Sequence, residues 1–568
     1  MKEREERASV LLGNKRGGFA WLAPQPESRY QGVFFSLGET LFKTVAHLDV
    51  HEPVRAVTDL LWGAQRDYFT VNQRLTMPHG ANALLVEFSA PARADLLLDC
   101  KIIDDNREWG RVYDVSRAQG CVVVSFRKRN DKRDDNSRCA KEFQLFLAIA
   151  GDALEFFPVN EWVEQRYAYD ESRKSAPWSR WVFNAGTVSA QRFVVAAGLT
   201  KKAAIAEARR VLRGRIALVH KQMDFVAAAV AHKKINNKRF DLAYACACRA
   251  LGELSIDDKE LAAGYPWFYQ CWTRDALVSS KALALINNQK LAKKLILQAA
   301  AQKQLATRPG STLLAADAPG WLGVRAMECD ALFNLIEKRK LLKELKRHRA
   351  GLKLEQGLVV NKPHETWMDS VAREGARIEV QALALALTRA LGETEFEQEL
   401  ARRTREVFWN GSFLHDGLND ATIRPNAFIA AYAYPDLLSR DEWEQCFDAM
   451  LPKLWLPWGG LATIDTGDTR FVDAHTGEDP ASYHQGDSWY WLNNLAAIVL
   501  ARVNAEKYAQ YIHAILEASS HEILALGAIG HHAELSSARA LSSHGCVSQA
   551  WSAALFIELC SELFSASP

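Results

Sequence analysis

Apolar residues follow two different periods along the chain, and the change between them falls near Thr200. Before that point they form short alternating runs separated by turn residues, a pattern typical of antiparallel strands. The clearest runs are 83–88, 94–100, 121–126 and 143–150. Because no convincing helix lies between them, we expect residues 1–200 to form an all-β sandwich domain.

The rest of the chain has the 3.6-residue period of helices, in segments rich in Ala and Leu. The clearest of about a dozen such segments are 203–212, 240–254, 276–286 and 380–391. Long loops rich in Trp, Gly, Pro, Asp and His separate them, and loops of this kind on a helical scaffold often carry active sites. We therefore expect a second, helical and catalytic domain over residues 201–568.

The charge balance argues against nucleic acid and membrane partners. Across 568 residues, 70 Lys and Arg face 68 Asp and Glu, which gives a net charge of +2 and no field to attract polyanions. The basic stretch 127–138 is interleaved with aspartates and is predicted to be a solvated hairpin loop. No apolar run reaches the roughly 18 residues of a membrane span. The charged start of the chain does not resemble a secretory signal, so we expect a cytoplasmic protein.

Metal and cofactor signals are missing from the sequence. The 10 cysteines are scattered without a CxxC pair, which favours reduced structural thiols. There is no HExxH zinc pattern, and no GxxxxGK[ST] or GxGxxG phosphate loop. We therefore predict chemistry that uses neither a metal nor a cofactor.

Tryptophans concentrate in the helical part, where 11 of the 17 fall between Trp267 and Trp551. Most lie in loop-like segments beside Asp, Glu, His or Arg. Packing between domains explains some of them individually. As a set they suit a sugar, because the C–H face of a pyranose stacks on an aromatic ring while its hydroxyls need polar partners.

Five segments carry this mixture of aromatic and carboxylate side chains. They are GYPWFYQCWTRDA (264–276), ETWMDS (365–370), IRPNAFIA (423–430), SYHQGDSWYWLNN (482–494) and HHAELSSARALSSHGCVSQAWS (531–552). With AAGYPWF at 262–268 and IEVQAL at 378–383, their order resembles the amylo-α-1,6-glucosidase part of glycogen debranching enzymes. The WTRDA piece is also similar to glucoamylases. The resemblance implies an (α/α)6 toroidal barrel preceded by a β-sandwich.

Hydrolysis of a glycosidic bond needs two carboxyl groups, one of which protonates the departing oxygen. Asp369 in TWMD is the first candidate, because the apolar neighbours Trp367 and Met368 would raise the pKa of its carboxyl group. The resemblance implies that Asp369 is the general acid. The alternative is a structural Asp that caps the start of a helix, next to Ser370.

Glu534 in HHAELSS is the second candidate, as the base that activates water in an inverting enzyme. Its segment departs from the PEIFDG-like sequence of the family. The polar residues around it that would hold a water are His531, His532, Ser536 and Ser537. Its rivals are Glu522, Asp487 and Glu379, of which we expect Glu522 to be a helical residue facing solvent.

Arg274 and Asp275 resemble the Arg-Asp pair that clamps sugar hydroxyls in both families, with a buried ion pair as the alternative. Asp330 in ECDALF resembles a VDA-x-LWF element of debranching enzymes and is expected to contact the same ring. The other predicted substrate contacts are Trp267, Trp272, Trp367, His484, Gln485, Trp489 and Trp551.

Together these features predict an exo-acting α-1,6-glucosidase that inverts configuration. Its expected substrates are glycogen, limit dextrin, and malto- or isomalto-oligosaccharides. Three alternatives stay open: a glucoamylase-like α-1,4-glucosidase, a glycoside phosphorylase that uses phosphate in place of water, and a non-catalytic glycan-binding relative.

Overall fold

A computed structural model describes residues 9–130, 142–230 and 235–564. The chain forms two compact units. One comprises Met1–Ala228, Ser255–Asp257 and Ala528–Gly530, and the other Ala229–Leu254, Asp258–Gly527 and His531–Pro568. Of the predicted hairpin loop at 127–138, residues 131–138 lie outside the described residues.

The described strands are short in the helical part and long in the amino-terminal part. In chain order they are β1 (Ser9–Gly13), β2 (Phe19–Leu22), β3 (Gly32–Leu37), β4 (Thr40–Asp49), β5 (Ala56–Asp59), β6 (Ala64–Asp67), β7 (Asn72–Thr76), β8 (Ala83–Ile102), β9 (Arg111–Ala118), β10 (Cys121–Lys128), β11 (Phe143–Gly151), β12 (Glu155–Arg166), β13 (Ser179–Gly198), β14 (Ser255–Ile256), β15 (Glu260–Leu261), β16 (Gly264–Tyr265), β17 (Leu354–Glu355), β18 (Leu358–Val359), β19 (Trp455–Leu456), β20 (Gly460–Leu461), β21 (Ser488–Trp489), β22 (Ala528–Ile529), β23 (Leu535–Ser536) and β24 (Ser548–Gln549).

Fourteen of these strands form one sheet in the first unit. Its main path is β22-β1-β2-β3-β4-β8-β13-β11-β10-β9, with β12 on β13 and the β5-β6-β7 group on β8. β1 and β22 are parallel, whereas the neighbours β8 and β13 are antiparallel. One face buries a hydrophobic core that includes Phe35, Leu98 and Phe193. The predicted sheet-rich amino-terminal part is confirmed.

The runs 83–88 and 94–100, which the sequence separates, belong to the single strand β8. Its pairing with β13 passes from Glu87↔Arg192 to Ala92↔Ala190, with a register shift between them. Pro91 falls within this irregularity, where its missing N–H breaks no ladder hydrogen bond. The turn-like sequence SAPAR is therefore a bulge inside one strand.

Helices make up most of the second unit, and the first unit contains the helix at 168–172 and most of the helix at 201–230. In chain order the α-helices of the described residues are α1 (Ala168–Ser172), α2 (Lys201–Val230), α3 (Lys238–Glu253), α4 (Thr273–Leu285), α5 (Gln289–Ala301), α6 (Ala318–Glu328), α7 (Leu335–Ala350), α8 (Ile378–Leu391), α9 (Thr394–Phe408), α10 (Asn426–Ala433), α11 (Arg440–Leu454), α12 (Tyr490–Asn504), α13 (Ala509–Ala525) and α14 (Ala550–Leu563). The four clearest predicted helical segments all lie in helices, namely α2, α3, α4 and α8.

Six of these helices contact one another in a closed cycle, α4-α6-α8-α10-α12-α14 and back to α4. The helices of the cycle are buried on nearly all sides; in α10 every residue is buried. The helices between them bury a single stripe, as in α9, where only Leu400, Thr404 and Phe408 are buried. This difference fits a cycle of core helices, each with a more polar helix packed beside it.

Candidate active site

A cavity of about 240 Å³ in the second unit gathers most of the predicted site residues. Its lining residues are Phe268, Trp272, Arg274, Asp275, Arg308, Trp367, Asp369, Tyr483, Trp489, Glu534, Gln549 and Trp551. Four of the five aromatic-carboxylate segments contribute directly. The fifth, 423–430, lies behind the lining, where Asn426 Oδ1 accepts a 2.8 Å hydrogen bond from the indole N–H of Trp367.

The amino-terminal ends of the cycle helices position these side chains. Arg274 and Asp275 lie in the first turn of α4, and Trp489 and Gln549 immediately precede α12 and α14. Helix amino termini carry partial positive charge from unpaired N–H groups, which favours carboxylates and electron-rich ligands at this end.

Glu534 is a buried carboxyl group at this cavity, 2% exposed. It accepts hydrogen bonds from the hydroxyl of Tyr483 and, at 2.9 Å, from the backbone N–H of Cys546. Burial raises the pKa of Glu534 to about 7, although both hydrogen bonds act to lower it. Gly545 makes this placement possible, because a Cβ there would lie 2.2 Å from Glu534 Oε2.

Asp369 lies in a turn and is partly exposed. It caps no helix, since α8 begins only at Ile378, so the alternative of a helix cap is wrong. Burial raises the pKa of its carboxyl group, and the positive charge of Arg274 partly opposes this shift. A carboxyl group with a raised pKa is suited to donate a proton.

Arg274 and Asp275 both line the cavity, but Arg274 pairs with a different residue. Its Nε donates a 2.9 Å hydrogen bond to Asp317, which precedes α6. Burial raises the pKa of Asp275 to about 7, with Arg274 opposing the shift, and Gln549 donates to it at 3.4 Å. Among the described residues, no cation donates a hydrogen bond to Asp275, so its carboxyl group is presented to the cavity with Gln549 as its partner.

Asp330 does not belong to the cavity. It lies on an exposed 3-10 turn and forms an ion pair with Lys338. The acidic residue beside Arg274 is the buried Asp317. The sequence contained a signal for it: Asp317-Ala318 is followed by Trp321, with the spacing of the VDA-x-LWF element.

His484 supports the cavity from behind. Its ring stacks on Trp489 with centroids 4.9 Å apart, and its Nδ1 lies 2.7 Å from Ser370 Oγ. Burial, with nearby arginines, lowers the pKa of His484 well below its usual value, so the ring is neutral. Trp267 and Gln485 also fall outside the lining, so these three predicted contacts are not brought to the cavity.

The three rivals of Glu534 are buried and paired elsewhere. Glu522 is bound by His532 at 2.6 Å, so the expectation that it faces solvent is wrong. Asp487 is bound by His475 at 2.8 Å, and Glu379 by Arg373 at 2.7 Å. The residues expected to hold a water beside Glu534 are likewise buried, and His532 is bound to Glu522.

Several polar atoms of the cavity lining are buried yet make no hydrogen bond within the described residues. They are Nε1 of Trp272 and Trp551, Nη2 of Arg274 and Oε1 of Gln549. Buried polar groups in proteins are almost always paired, so an orphaned set around one cavity points to a polar ligand. Four donor and acceptor atoms beside aromatic faces match the hydroxyls and C–H face of a sugar.

Sequence reasoning missed five residues of this region. They are Phe268, Arg308, Asp317, Tyr483 and Gln549. Phe268, Tyr483 and Gln549 lie inside the aromatic-carboxylate segments, but other residues of those segments were chosen as the substrate contacts. Arg308 lies in a loop without a recognised motif, so only its position in space identifies it.

The described residues hold no group of three or more His, Cys, Asp or Glu that is arranged to bind a metal ion. In the same residues, no helix combines the length and the apolar character that crossing a membrane requires.

Three carboxyl groups with raised pKa values, those of Asp275, Asp369 and Glu534, line this cavity among tryptophans and polar atoms without partners in the residues that the structure describes. A glycoside hydrolase needs two such groups, and the cavity has the character of its active site. The family profile described as amylo-alpha-1,6-glucosidase matches residues 221–310 and 339–558, more than half of the chain. The chain therefore belongs to the amylo-alpha-1,6-glucosidase family. No curated protein matches it.

Three solved structures that are similar to this chain are described as glycosidases or hydrolases. Two glycosidase variants, one in complex with glucose, each have 12% identity and a TM-score of 0.45, over 58% of this chain and 98% of theirs. A GH63 mannosylglycerate hydrolase from Thermus thermophilus in complex with glucose has 13% identity and a TM-score of 0.42, over 55% and 98%.

Proposed function

We propose that this enzyme is an exo-acting α-1,6-glucosidase that releases glucose from glycogen or limit dextrin with inversion of configuration. Asp369 is the general acid and Glu534 the general base. The observation that carries the proposal is that both carboxyl groups line one small cavity, where burial raises the pKa of each.

The cavity has a closed end and an open end, which differ in the solvent exposure of their lining residues. Glu534 and Asp275 are nearly inaccessible, at 2% and 4%, whereas Asp369, Trp272 and Tyr483 are partly exposed. The terminal glucose would fill the closed end, and the sugar that departs would lie at the mouth. This order favours Asp369 beside the departing oxygen and Glu534 on the enclosed side, where water attacks.

The proposed reaction moves one proton at each carboxyl group. Asp369 gives its proton to the glycosidic oxygen as the bond from that oxygen to C1 breaks. Water attacks C1 from the opposite face and gives a proton to Glu534, which leaves β-glucose as the first product. Arg274 Nη2 and Asp275 would hold the hydroxyls of the terminal ring, since a guanidinium donates and a carboxylate accepts.

The closed helix cycle supports an (α/α)6 barrel, and the sheet with its common core supports a β-sandwich. We infer that the predicted boundary near residue 200 marks the change from strand to helix, where β13 ends at Gly198 and α2 begins at Lys201. The compact unit that contains the sheet extends to Ala228 and therefore includes most of α2. A cytoplasmic location stays a prediction.

Three substrates test the proposal: panose, isomaltose and maltotriose, each assayed for glucose release with and without phosphate. We expect release from panose and isomaltose that does not depend on phosphate. Faster release from maltotriose would instead identify an α-1,4-glucosidase. Glucose 1-phosphate formed only with phosphate would identify a phosphorylase, which would need no base at Glu534.

A further inference from the structure

Arg308 is a second positive charge at the cavity, and its surroundings differ from those of Arg274. Arg274 is buried and bound to Asp317, whereas Arg308 is exposed. In the described part of the chain, the Arg308 side chain makes no hydrogen bond and no ion pair, although it lines the same cavity as Asp369. Its guanidinium is free to bind a ligand.

The loop that carries Arg308 connects α5 to α6 and is internally braced. Thr307 N–H donates to Leu313 O at 2.9 Å, and Ala315 N–H donates to Leu305 O at 2.7 Å. At its base, Ala316 N–H donates to the carbonyl of Glu365 at 2.8 Å, in the segment that leads to Asp369. The backbone thus ties the Arg308 loop to the segment of the proposed acid.

The charge that acts on the acid is that of Arg274. After burial, Arg274 is the largest influence on the pKa of Asp369, and it lowers that pKa. A free guanidinium at the exposed mouth is therefore better explained by contact with substrate than by control of the acid.

We propose that Arg308 binds the leaving sugar, and so selects substrates by the unit that follows the scissile bond. This inference rests on the proposed function and assigns the leaving-group side of the same cavity. The guanidinium offers a planar fork of N–H donors that can hold two adjacent hydroxyls. Phe268 and Trp272, edge to face with centroids 4.9 Å apart and both partly exposed, give the ring an aromatic surface.

The test compares panose with α-glucosyl fluoride, which has no leaving sugar. We expect R308A to lower the ratio of kcat/KM for panose to that for the fluoride by about 10- to 100-fold, as for a lost charged hydrogen bond. R308K should recover little, because an ammonium lacks the fork. An unchanged ratio, or full recovery in R308K, would overturn the proposal.

Lys303 provides the matched control, since it is exposed in the same loop but lines a different cavity. K303A should leave the ratio unchanged. An equal fall in K303A would show that the loop, and not the Arg308 side chain, is responsible, and would overturn the assignment.

A binding titration separates this proposal from the proposed function. In D369N and in the double variant D369N/R308A, we expect similar affinity for glucose, but panose bound about 10-fold more weakly by the double variant. Equal panose affinity would overturn the role of Arg308 even in an active glucosidase. If the native chain releases no glucose, the proposed function fails, and the titration still decides on Arg308.

Discussion

Asp99 in the sheet-rich unit and Glu534 in the helical unit are both buried carboxyl groups, but their partners differ. Asp99 accepts hydrogen bonds from Arg180 at 3.1 and 3.2 Å, and Lys43 lies 3.6 Å away. Burial acts to raise the pKa of Asp99, yet these cations hold it below its usual value. Glu534 has only neutral donors, and its pKa is about 7.

The comparison shows how a buried carboxyl group becomes structural or reactive. Cations that surround Asp99 keep it ionised and fix it as part of the fold. Glu534 has no cation among its hydrogen-bond partners in the described residues, so burial raises its pKa to about 7. Reactive groups of this kind cluster at functional sites and cost stability.

The largest expected effect is on catalysis, through the replacement Asp369→Asn. Loss of the proton donor should lower kcat/KM for panose by about 100- to 10,000-fold. The loss should be much smaller for α-glucosyl fluoride, whose leaving group needs little protonation. Steady-state kinetics with both substrates provide the measurement, and a variant with near-native activity on panose would mean that Asp369 is not the acid.

Replacing Asp99, the carboxylate that is paired with cations, should instead lower the stability of the fold. Asp99→Asn leaves the buried Arg180 and Lys43 without their anion, which typically costs about 3 to 5 kcal/mol. Chemical denaturation should show this loss, while activity per folded molecule stays native. Asp114→Asn, an exposed site on β9, is the control and should change neither. A loss of activity without a loss of stability would contradict the structural role.

Glu534→Gln should have the opposite effect on stability, in a pH-dependent way. The folded-state pKa of about 7 lies above the unfolded value near 4.5, so the native chain loses stability as pH rises through 7. The Gln side chain does not ionise, so the free energy of unfolding of the variant should exceed that of the native chain by at most about 3 kcal/mol at pH 8. Denaturation at pH 5 and pH 8 measures it, with the exposed Glu355→Gln as control. If the variant gains the same free energy of unfolding at both pH values, the pKa of Glu534 is not raised in the folded protein.

The smallest of these effects tests the placement of Glu534. Gly545→Ala puts a Cβ 2.2 Å from Glu534 Oε2, and the resulting displacement should lower kcat roughly 100-fold. Gly392→Ala is the control, because Gly392 has the same φ of 67° but an added Cβ there would have no atom within 4 Å. This variant therefore measures the effect of backbone strain alone. Equal losses of activity in the two variants would mean that strain, and not contact with Glu534, is the cause.

Much of the architecture could be predicted from the sequence, because hydrophobic period reports local structure. The change of period near residue 200 matched the end of β13 and the start of α2. The resemblance to the family, with the residues beside each carboxyl group, singled out Asp369 and Glu534, and both line one cavity. What the sequence could not supply was the pairing of side chains distant in the chain, such as Arg274 with Asp317, because periodicity carries no information about long-range contacts. Asp330 was wrongly included because ECDALF was matched to the VDA-x-LWF element, whose spacing fits Asp317, Ala318 and Trp321 instead.

The configuration of the first product tests the assignment of Asp369 and Glu534 most directly. Proton NMR of fresh reaction mixtures with α-glucosyl fluoride, whose leaving group is not a sugar, distinguishes the two anomers of the released glucose before mutarotation. If Glu534 activates water opposite the leaving group, β-glucose appears first, and the two carboxyl groups are separated by about 6.5 to 9.5 Å. If α-glucose appears first, the reaction passes through a covalent glucosyl intermediate, and Glu534 is not the base.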